Sequence, residues 1–451
     1  MLITNGVLVT QDAEQRILTG QALLVQDGRI AAIGPQADLM VQYPTEELLD
    51  ADGQLVMPGA ICAHTHFYGA YARGMAIPGP APREFPEILS RLWWPLDKAL
   101  DRDAVRLSAL VCLVDAVKHG TTSLIDHHAS PNAIDGSLDW IAAAVEQAGL
   151  RAVLCYEVTD RDGQEKAAAG IAENVRFLRE RAADPLVRGT FGLHASLTLT
   201  EPTLRACADA NPGGGFHVHV AEHEADEVDS LEKSGMHVVP RLHQYGILGP
   251  KTIAAHCIHI TDDEMDRLRD TGTWVTHQPR SNMNNGVGAM SFDEMLQRGM
   301  KVAIGNDGFS NAMWQEWKAA YLLHKVVSRD PRKANGADVF RAATATNGAV
   351  LETFFPGEQF AVLAEGARAD LIFVDYQPYT PLTSGNLPWH ILFGFEPSMV
   401  TTTIVEGKVL MRDRQLLTLD EDAIMAEARA CAPAVWERYA TFAAQAMEPA
   451  E

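Results

Sequence analysis

Between about Met57 and Asn347, the chain alternates short apolar segments with longer segments in which apolar residues recur at helical spacing. Repeated strand–helix units of this kind build parallel sheets that are covered by helices. Because eight strand candidates follow one another, the sequence predicts an α/β protein with a (β/α)8 TIM-like barrel. In order, the candidates are Gln54–Cys62, Thr122–Ile125, Ala152–Tyr156, Gly189–Leu193, Phe216–Val220, Thr252–Ala255, Trp274–Thr276 and Val302–Gly305.

The two ends of the chain differ from the middle because both consist of short β-rich runs. Asp27-Gly28 joins two apolar runs near the start, and Glu406-Gly407 joins a similar pair near the end, which is a hairpin signal in each case. We therefore expect a small composite β-sandwich domain that is built from both termini. The predicted boundaries are 1–56 plus 360–418 for this domain, 57–359 for the catalytic barrel and 419–451 for a C-terminal helical segment.

Charge and composition narrow the classes of partner. The net charge of -22 argues against binding to nucleic acid or to an anionic membrane, since both would repel the chain. No apolar run approaches the roughly 18 residues that span a bilayer, and the N-terminus lacks the pattern of a signal peptide. The six cysteines form no CxxC pair, which indicates reduced thiols. A cytoplasmic protein is expected.

Side chains that bind metals or move protons follow one strand candidate after another. In a (β/α)8 barrel the carboxyl ends of all strands meet at one mouth, where active sites lie. Histidines placed at random would not follow the strand ends, so these residues are expected to share one site. In strand order they are His64 and His66, Asp126, His127 and His128, Glu157, His194, His219, His256, His277 and Asp307.

Two HxH motifs are central to this pattern. In extended backbone, residues two apart point the same way, so His64 and His66 can present both imidazoles to one ion. The second motif, HVH, ends at His219, and two later strands end at His256 and Asp307. Each of these taken alone is better explained as a hydrogen-bonded core histidine or a helix-capping aspartate. The ordered set predicts a shared metal site.

Several segments of the sequence resemble the amidohydrolase superfamily: VMPGAICAHTH, HVHVAE, AAHC, HQPRSN and GNDG. The chain looks closest to the branch of deaminases and triazine hydrolases (ATZ/TRZ-like). Within that branch, LWWPLDKALD, DHHASPNAIDGSLD, CYEVTDRDG and RSNMNNGVG resemble the SsnA-type aminohydrolases. The resemblance covers nearly the whole chain, including the divided β domain.

The resemblance implies one divalent metal with four ligands: His64, His66, His219 and Asp307. Imidazole and carboxylate ligands favour zinc, and they leave iron(II) or manganese open. A second metal would need a bridging acid or carboxylated lysine. Glu157 could bridge, but we expect it to be a pocket-wall or salt-bridge residue beside a single metal.

The resemblance also implies that Glu222, His256 and Asp307 are catalytic. Glu222 would shuttle protons, His256 would lie against the bound water or the substrate, and Asp307 would accept a proton from the water. The expected reaction is attack of metal-bound hydroxide on a nitrogen heterocycle (a purine, pteridine or pyrimidine) with loss of ammonia. Two alternatives stay open: removal of another leaving group or opening of a cyclic amide, and a catalytically silent metal-binding barrel.

The substrate is expected to be a small heterocycle, and a homo-oligomer is suggested by analogy alone. Two of the residues expected to bind the substrate have a structural alternative, because Trp93 could simply pack its loop and Arg280 could form an internal ion pair. His217 is expected to form an internal hydrogen bond rather than to bind metal. The predicted substrate-binding residues are His127, His128, His194, Arg280, Trp93 and Arg73.

Overall fold

The computed structural model describes residues 1–447, and its strands lie in four sheets. In chain order the strands are β1 (Leu2–Thr4), β2 (Val7–Val9), β3 (Ile17–Leu18), β4 (Gln21–Gln26), β5 (Arg29–Pro35), β6 (Leu48–Asp50), β7 (Leu55–Pro58), β8 (Ala60–Thr65), β9 (Thr121–His128), β10 (Arg151–Tyr156), β11 (Val187–Gly189), β12 (Phe191–Ala195), β13 (Phe216–Val220), β14 (Ile253–His256), β15 (Trp274–His277), β16 (Lys301–Ile304), β17 (Leu371–Val374), β18 (Val400–Val405), β19 (Lys408–Arg412) and β20 (Gln415–Leu416).

Helices connect most of the parallel strands, and within residues 1–447 none is both long and apolar enough to cross a bilayer. The α-helices are α1 (Gln36–Gln42), α2 (Phe85–Ile88), α3 (Trp94–Ala99), α4 (Arg102–Lys118), α5 (Ser137–Ala148), α6 (Gln164–Glu180), α7 (Glu201–Ala210), α8 (Glu224–Ser234), α9 (Val238–Gln244), α10 (Asp262–Asp270), α11 (Pro279–Asn285), α12 (Phe292–Gln297), α13 (Met313–Ser328), α14 (Gly336–Arg341), α15 (Asn347–Glu352), α16 (Leu387–Gly394) and α17 (Glu421–Ala446). Short 3-10 turns span Phe67–Ala72, Ser196–Thr198 and Pro397–Met399, and π-helical turns span Leu89–Trp93 and Ala342–Thr346.

The middle of the chain forms two parallel sheets, in the orders β11-β10-β9-β8 and β12-β13-β14-β15-β16. Each of the eight strand candidates overlaps one of these strands, which confirms the predicted α/β class with parallel sheets. Every residue of β9, β10 and β13 is buried, as expected for parallel sheets that helices cover.

Two predicted strands are each divided in the structure. The candidate Gln54–Cys62 is two strands, because β7 pairs with β17 in another sheet and only β8 joins the parallel one. Gly59 separates them, and a Cβ at this position would lie 2.2 Å from Thr122 Cγ2, so only glycine fits the crossing. The candidate Gly189–Leu193 likewise spans the break between β11 and β12.

Isolated bridges connect the edges of the two parallel sheets. Val158 bridges to Leu193, and Thr65 bridges to Asp307. Between β8 and β16, the Asn347 side chain forms hydrogen bonds with the backbone of both strands. Its amide nitrogen donates to the carbonyls of Ile61 and Ile304, at 2.6 and 2.9 Å, and its oxygen accepts the Ile304 N–H.

Both ends of the chain contribute to a seven-stranded sheet, in the order β20-β19-β18-β17-β7-β2-β3. A four-stranded sheet, β5-β4-β1-β6, lies beside it, and the two share one apolar cluster that includes Leu23, Val56 and Phe373. This arrangement agrees with a composite β domain, whose exact boundaries remain a prediction.

The last helix packs on the long connection that follows β8. From α17, Trp436 donates to the Tyr71 carbonyl at 3.0 Å and Tyr439 donates to the Arg91 carbonyl at 2.8 Å. A helix was expected in 419–451, and it spans Glu421–Ala446; residues 448–451 lie outside the described residues. These two hydrogen bonds attach α17 to the connection that follows β8.

Candidate active site

His66 and His219 each direct the Nε2 of the ring to the same point. The Nδ1 of His66 lies 2.6 Å from the His127 carbonyl oxygen, and the Nδ1 of His219 lies 2.8 Å from the His194 carbonyl oxygen. Because a carbonyl oxygen can only accept, both Nδ1 atoms carry the hydrogen and donate it. In the neutral rings, Nε2 is then left with a free lone pair.

The two Nε2 atoms converge on one another and on a carboxylate. The two Nε2 atoms of His66 and His219 are 3.2 Å apart, and Asp307 Oδ1 lies 3.1 Å from the first. Lone pairs and a carboxylate at such distances repel unless a cation lies among them. Burial lowers the pKa of His66, but the hydrogen bond and charge of Asp307 outweigh it and raise the pKa to about 9. The cluster therefore favours a positive charge.

His64 completes the set. Its Nε2 is fully buried, makes no hydrogen bond within the described residues, and lies 3.9 Å from Asp307 Oδ1. The ligand atoms of His64, His66 and Asp307 all lie within 4.8 Å of one another. Imidazole nitrogen and carboxylate oxygen are ligands that suit zinc, so the residues present fit the implied metal.

Local backbone features bring the strand ends together. A Cβ at Gly305 would lie 2.6 Å from the His64 carbonyl oxygen, so glycine is needed for β16 to approach β8 this closely. Ala221, His256 and Asp307, which end or follow three strands, have positive φ angles of 44°, 71° and 57°. Left-handed backbone outside glycine is costly and clusters at functional sites. Here it turns the chain at the site's edge.

His256 and Glu222 lie beside the same carboxylate. The Asn282 amide donates to His256 Nδ1 at 2.9 Å, which leaves the hydrogen on Nε2, 3.4 Å from Glu222 Oε2 and 3.8 Å from Asp307 Oδ2. A protonated Nε2 makes His256 a donor here rather than a metal ligand. Burial raises the pKa of Glu222 well above its usual value, and the nearby Asp307 raises it further.

Glu157 is held by cationic and imidazole groups. His127 Nδ1 lies 3.2 Å from one of its oxygens, and Arg161 Nη2 lies 3.2 Å from the other and 2.9 Å from Asp97. Burial would raise the pKa of Glu157, but His194, His127 and Arg161 lower it to about 2. Glu157, His194 and His219 also lie close enough to hold a metal, so the number of metals remains a prediction.

A cavity of about 850 Å³ opens above this cluster. Four of the six predicted substrate-binding residues line it: His194, Arg280, Trp93 and Arg73. The guanidinium of Arg280 is occupied by an ion pair with the buried Glu316 and by Ser310 and Gln315. This is the internal ion pair that the sequence analysis gave as the alternative to substrate binding by Arg280.

The other two residues lie beneath the cavity rather than on its wall. His127 is fully buried, and its Nε2 donates to the Leu193 and His217 carbonyls. His128 is also buried and bonds to Ser130 at 2.8 Å. Both are the last residues of β9, and because they are adjacent their side chains point to opposite faces of the strand.

Sequence reasoning missed Asp97 and Arg161 as part of the cavity region. Arg161 contacts Glu157 and Asp97 and stacks over the Trp94 ring at 5.0 Å. The only available signal was local, since Arg161 follows four residues after the strand end at Glu157. Asp97 lies 64 residues away in the chain from Arg161, so no spacing pattern connects the two.

Comparisons with known proteins agree with this geometry. A family model described as "Amidohydrolase family" matches residues 55–410, and a model of the imidazolonepropionase-like composite domain of bacteria matches residues 22–45. The 5'-deoxyadenosine deaminase of Methanosarcina mazei is 31% identical over 440 residues, which cover 96% of this chain and 97% of that protein. The 5-methylthioadenosine/S-adenosylhomocysteine deaminase of Thermococcus sibiricus is 34% identical over 423 residues, covering 91% and 94%.

Two solved structures share the fold. An adenosine deaminase from Xanthomonas campestris with bound zinc has a TM-score of 0.85 at 24% identity, and covers 98% of each chain. Atrazine chlorohydrolase from Arthrobacter aurescens, complexed with zinc, has a TM-score of 0.79 at 21% identity and covers 96% of this chain and 100% of that one.

Proposed function

Because the chain belongs to the amidohydrolase family, we propose that it is a metal-dependent aminohydrolase that deaminates a nitrogen heterocycle. The observation that carries the proposal is the convergence of three imidazole Nε2 atoms and a carboxylate, with His64 Nε2 left without a hydrogen-bond partner within the described residues. An oxygen-and-nitrogen cluster of this kind has a cation-binding role and little value as a structural core.

We propose His64, His66, His219 and Asp307 as the residues that would hold one divalent ion, with zinc favoured. When bound, such an ion supplies a water whose pKa is lowered from 15.7 to about 7. The further proposal is that the two parallel sheets form one closed (β/α)8 barrel. The edge bridges at Val158 and Thr65 and the Asn347 contacts support it.

The chain's own side chains would move the protons. Asp307 has a second oxygen, Oδ2, on the side of His256, and this oxygen can accept a proton from an attacking water. Glu222, whose pKa is raised by burial, can carry a proton on its carboxyl and deliver it to a ring nitrogen. His256, with its hydrogen on Nε2, can donate to an oxygen that becomes anionic at the reacting carbon.

The substrate class that we propose is an adenosine derivative. Two relatives that match more than nine-tenths of the chain are named as deaminases of 5'-deoxyadenosine and of 5-methylthioadenosine and S-adenosylhomocysteine. The cavity volume of about 850 Å³ also has room for more than a free base. Trp93 and Trp94 supply aromatic surface on its wall.

The test is ammonia release by protein of measured zinc content. The panel comprises adenosine and its 5'-modified derivatives, guanine, a pteridine and cytosine. We expect one ammonia per product for at least one adenosine derivative. A fully metal-loaded protein that releases no ammonia from any member would contradict deamination.

Glu222→Gln provides the catalytic control. We expect kcat to fall by about 10²- to 10⁴-fold, because the proton carrier is lost, while the zinc content and melting temperature stay unchanged. Glu224→Gln is the matched control, since that exposed carboxylate lies two residues further on and should keep full activity. Equal activity of both variants would remove Glu222 from the mechanism.

A further inference from the structure

His64 differs from the other two predicted histidine ligands in the partner of its outer nitrogen. His66 and His219 donate from Nδ1 to backbone carbonyls, whereas His64 Nδ1 lies 2.8 Å from the Nε2 of another imidazole, His217. An imidazole nitrogen, unlike a carbonyl oxygen, can either donate or accept. The tautomer of His64 therefore depends on what fixes His217.

The other side of His217 faces a thiol. Its Nδ1 lies 3.9 Å from Cys155 Sγ, and the same sulfur lies 3.5 Å from the Asp126 carbonyl oxygen. That oxygen can only accept, so the Cys155 thiol must use its hydrogen there. The sulfur is left as an acceptor for His217 Nδ1–H.

The contact with Cys155 determines which atom donates in the hydrogen bond between His217 and His64. If His217 carries its hydrogen on Nδ1, its Nε2 is unprotonated and must accept from His64 Nδ1. No carboxylate contacts His217 within the described residues, so a doubly protonated, charged ring has no counter-charge. His64 consequently keeps a free lone pair on Nε2, the atom that is buried without a partner at the centre.

We propose that His217 is a positioning residue that fixes the tautomer and orientation of His64, with Cys155 setting the direction of the hydrogen bonds. The inference rests on the proposed metal site and deepens it. Partners of the outer nitrogen of a metal-bound histidine usually are carboxylates, carbonyls or water, and their loss costs 10- to 100-fold in metal affinity. Here an imidazole and a thiol have that role.

The local sequence makes this placement possible. In β13, residues two apart share one face, so the HVH motif points both imidazoles inward. His219 reaches the centre, and His217 lies one layer deeper, between His64 and Cys155, where all three side chains are fully buried. The His217 ring can therefore form a hydrogen bond with the predicted metal ligand His64, but it does not reach the metal site itself.

The test compares two substitutions at His217 by zinc affinity, measured through competition with a chromophoric chelator. His217→Leu removes the acceptor and should weaken zinc binding by about 10- to 100-fold. His217→Gln places an amide oxygen near the position of Nε2 and should restore affinity to within a few-fold. The cobalt(II) absorption spectrum should change in the leucine variant and resemble the unsubstituted protein in the glutamine variant.

A second pair tests the thiol. Cys155→Ala removes the acceptor for His217 and should weaken zinc binding by less than tenfold, whereas Cys155→Ser keeps an acceptor and should not. The matched control is His324→Leu, because His324 also forms a buried imidazole–imidazole contact, at 3.0 Å to His277, without contacting a predicted ligand. It should retain zinc affinity and the cobalt spectrum.

Each outcome decides the inference. Equal zinc affinity in His217→Leu and the unsubstituted protein would overturn it, and so would equal losses in the leucine and glutamine variants. Should the leucine variant not fold, the alanine and serine variants at Cys155 decide in the same way. All these readouts are independent of turnover. Failure of the deaminase screen alongside intact zinc binding would therefore count against the proposed reaction and leave the role of His217 standing.

Discussion

Two buried polar clusters lie at opposite ends of the same strands, and they are built differently. At the amino end of β10, the buried Arg151 contacts Asp370 and Glu406 and stacks over the Phe355 and Phe360 rings at 5.1 and 4.8 Å. Around it, Arg368 pairs with both Glu406 and Glu358. Every charge in this network has an opposite charge beside it.

At the carboxyl ends of the strands, the polar atoms are left incomplete. His64 Nε2, Asp97 Oδ1 and Arg161 Nη1 are buried and have no hydrogen-bond partner within the described residues. Burying such groups costs free energy that a structural core would avoid. In the first cluster, ion pairs between opposite charges connect secondary-structure elements. The unpartnered polar atoms of the second cluster are better explained by the binding of a metal ion and a substrate, as proposed above.

The largest effect on stability should come from the connecting network. Arg151→Met leaves Asp370 and part of Glu406 unpaired in a buried place, so we expect the free energy of unfolding to fall by about 3 kcal/mol. The kinetic constants of the folded fraction should stay within twofold. Urea unfolding and steady-state assays measure the two quantities.

Arg188→Met is the control for aromatic stacking alone, because Arg188 lies over the same Phe355 ring at 5.4 Å without an ion pair. Its expected cost is about 1 kcal/mol or less. If the two variants lost equal stability, the ion pairs of Arg151 would not be what connects the elements.

A smaller effect should appear in the pH dependence of stability. Burial raises the pKa of Glu358, but hydrogen bonds and charges from Arg368 and Arg29 outweigh it and lower the pKa to about 2, against 4.5 ordinarily. Since the unfolded chain binds this proton first, the contribution is complete above about pH 4.5 and is lost as the pH falls towards 2.

Glu358→Gln should therefore cost on the order of 1–3 kcal/mol at pH 7, and the difference from the unsubstituted protein should shrink as the pH falls below 4.5. Unfolding free energies of both proteins between pH 7 and pH 3 measure it. A difference that is independent of pH would show that the charge of Glu358 contributes nothing.

The smallest effect on stability is expected at the cavity mouth. The guanidinium of Arg73 makes no hydrogen bond or ion pair within the described residues, so Arg73→Gln should change stability by less than about 0.5 kcal/mol. If Arg73 binds substrate, as the sequence analysis predicts, KM should rise. Arg280→Gln makes the same change on the same cavity but leaves Glu316 buried and unpaired, and should cost about 1–2 kcal/mol, less than Arg151→Met. Equal stabilities would contradict this distinction.

The sequence predicted the parts of the molecule that depend on local pattern. The parallel strands, the family and the strand-end histidines follow from periodicity and motifs, and the structure brings His64, His66, His219 and Asp307 close together. The likeness to SsnA-type aminohydrolases remains a prediction. So do the domain boundaries and the roles of the site residues.

What the sequence could not provide depends on contacts between distant segments. Gly59 divides a continuous apolar run because Thr122 lies against it, and nothing in the run itself reveals this. His127 was expected at the cavity because it follows a strand, yet the alternation of that strand points it inward. The pairing of Asp97 with Arg161 joins two loops whose approach is fixed only by the complete fold.

The junction between β8 and β16 has a consequence for how the chain holds itself together. The first and last of the parallel strands, β8 and β16, are connected by the Asn347 side chain and by the bridge from Thr65 to Asp307. The Asn347 amide therefore links an early and a late part of the polypeptide. His64 belongs to the first of these parts and Asp307 to the second. An ion bound by both, as proposed above, would add a second link between these two parts of the chain.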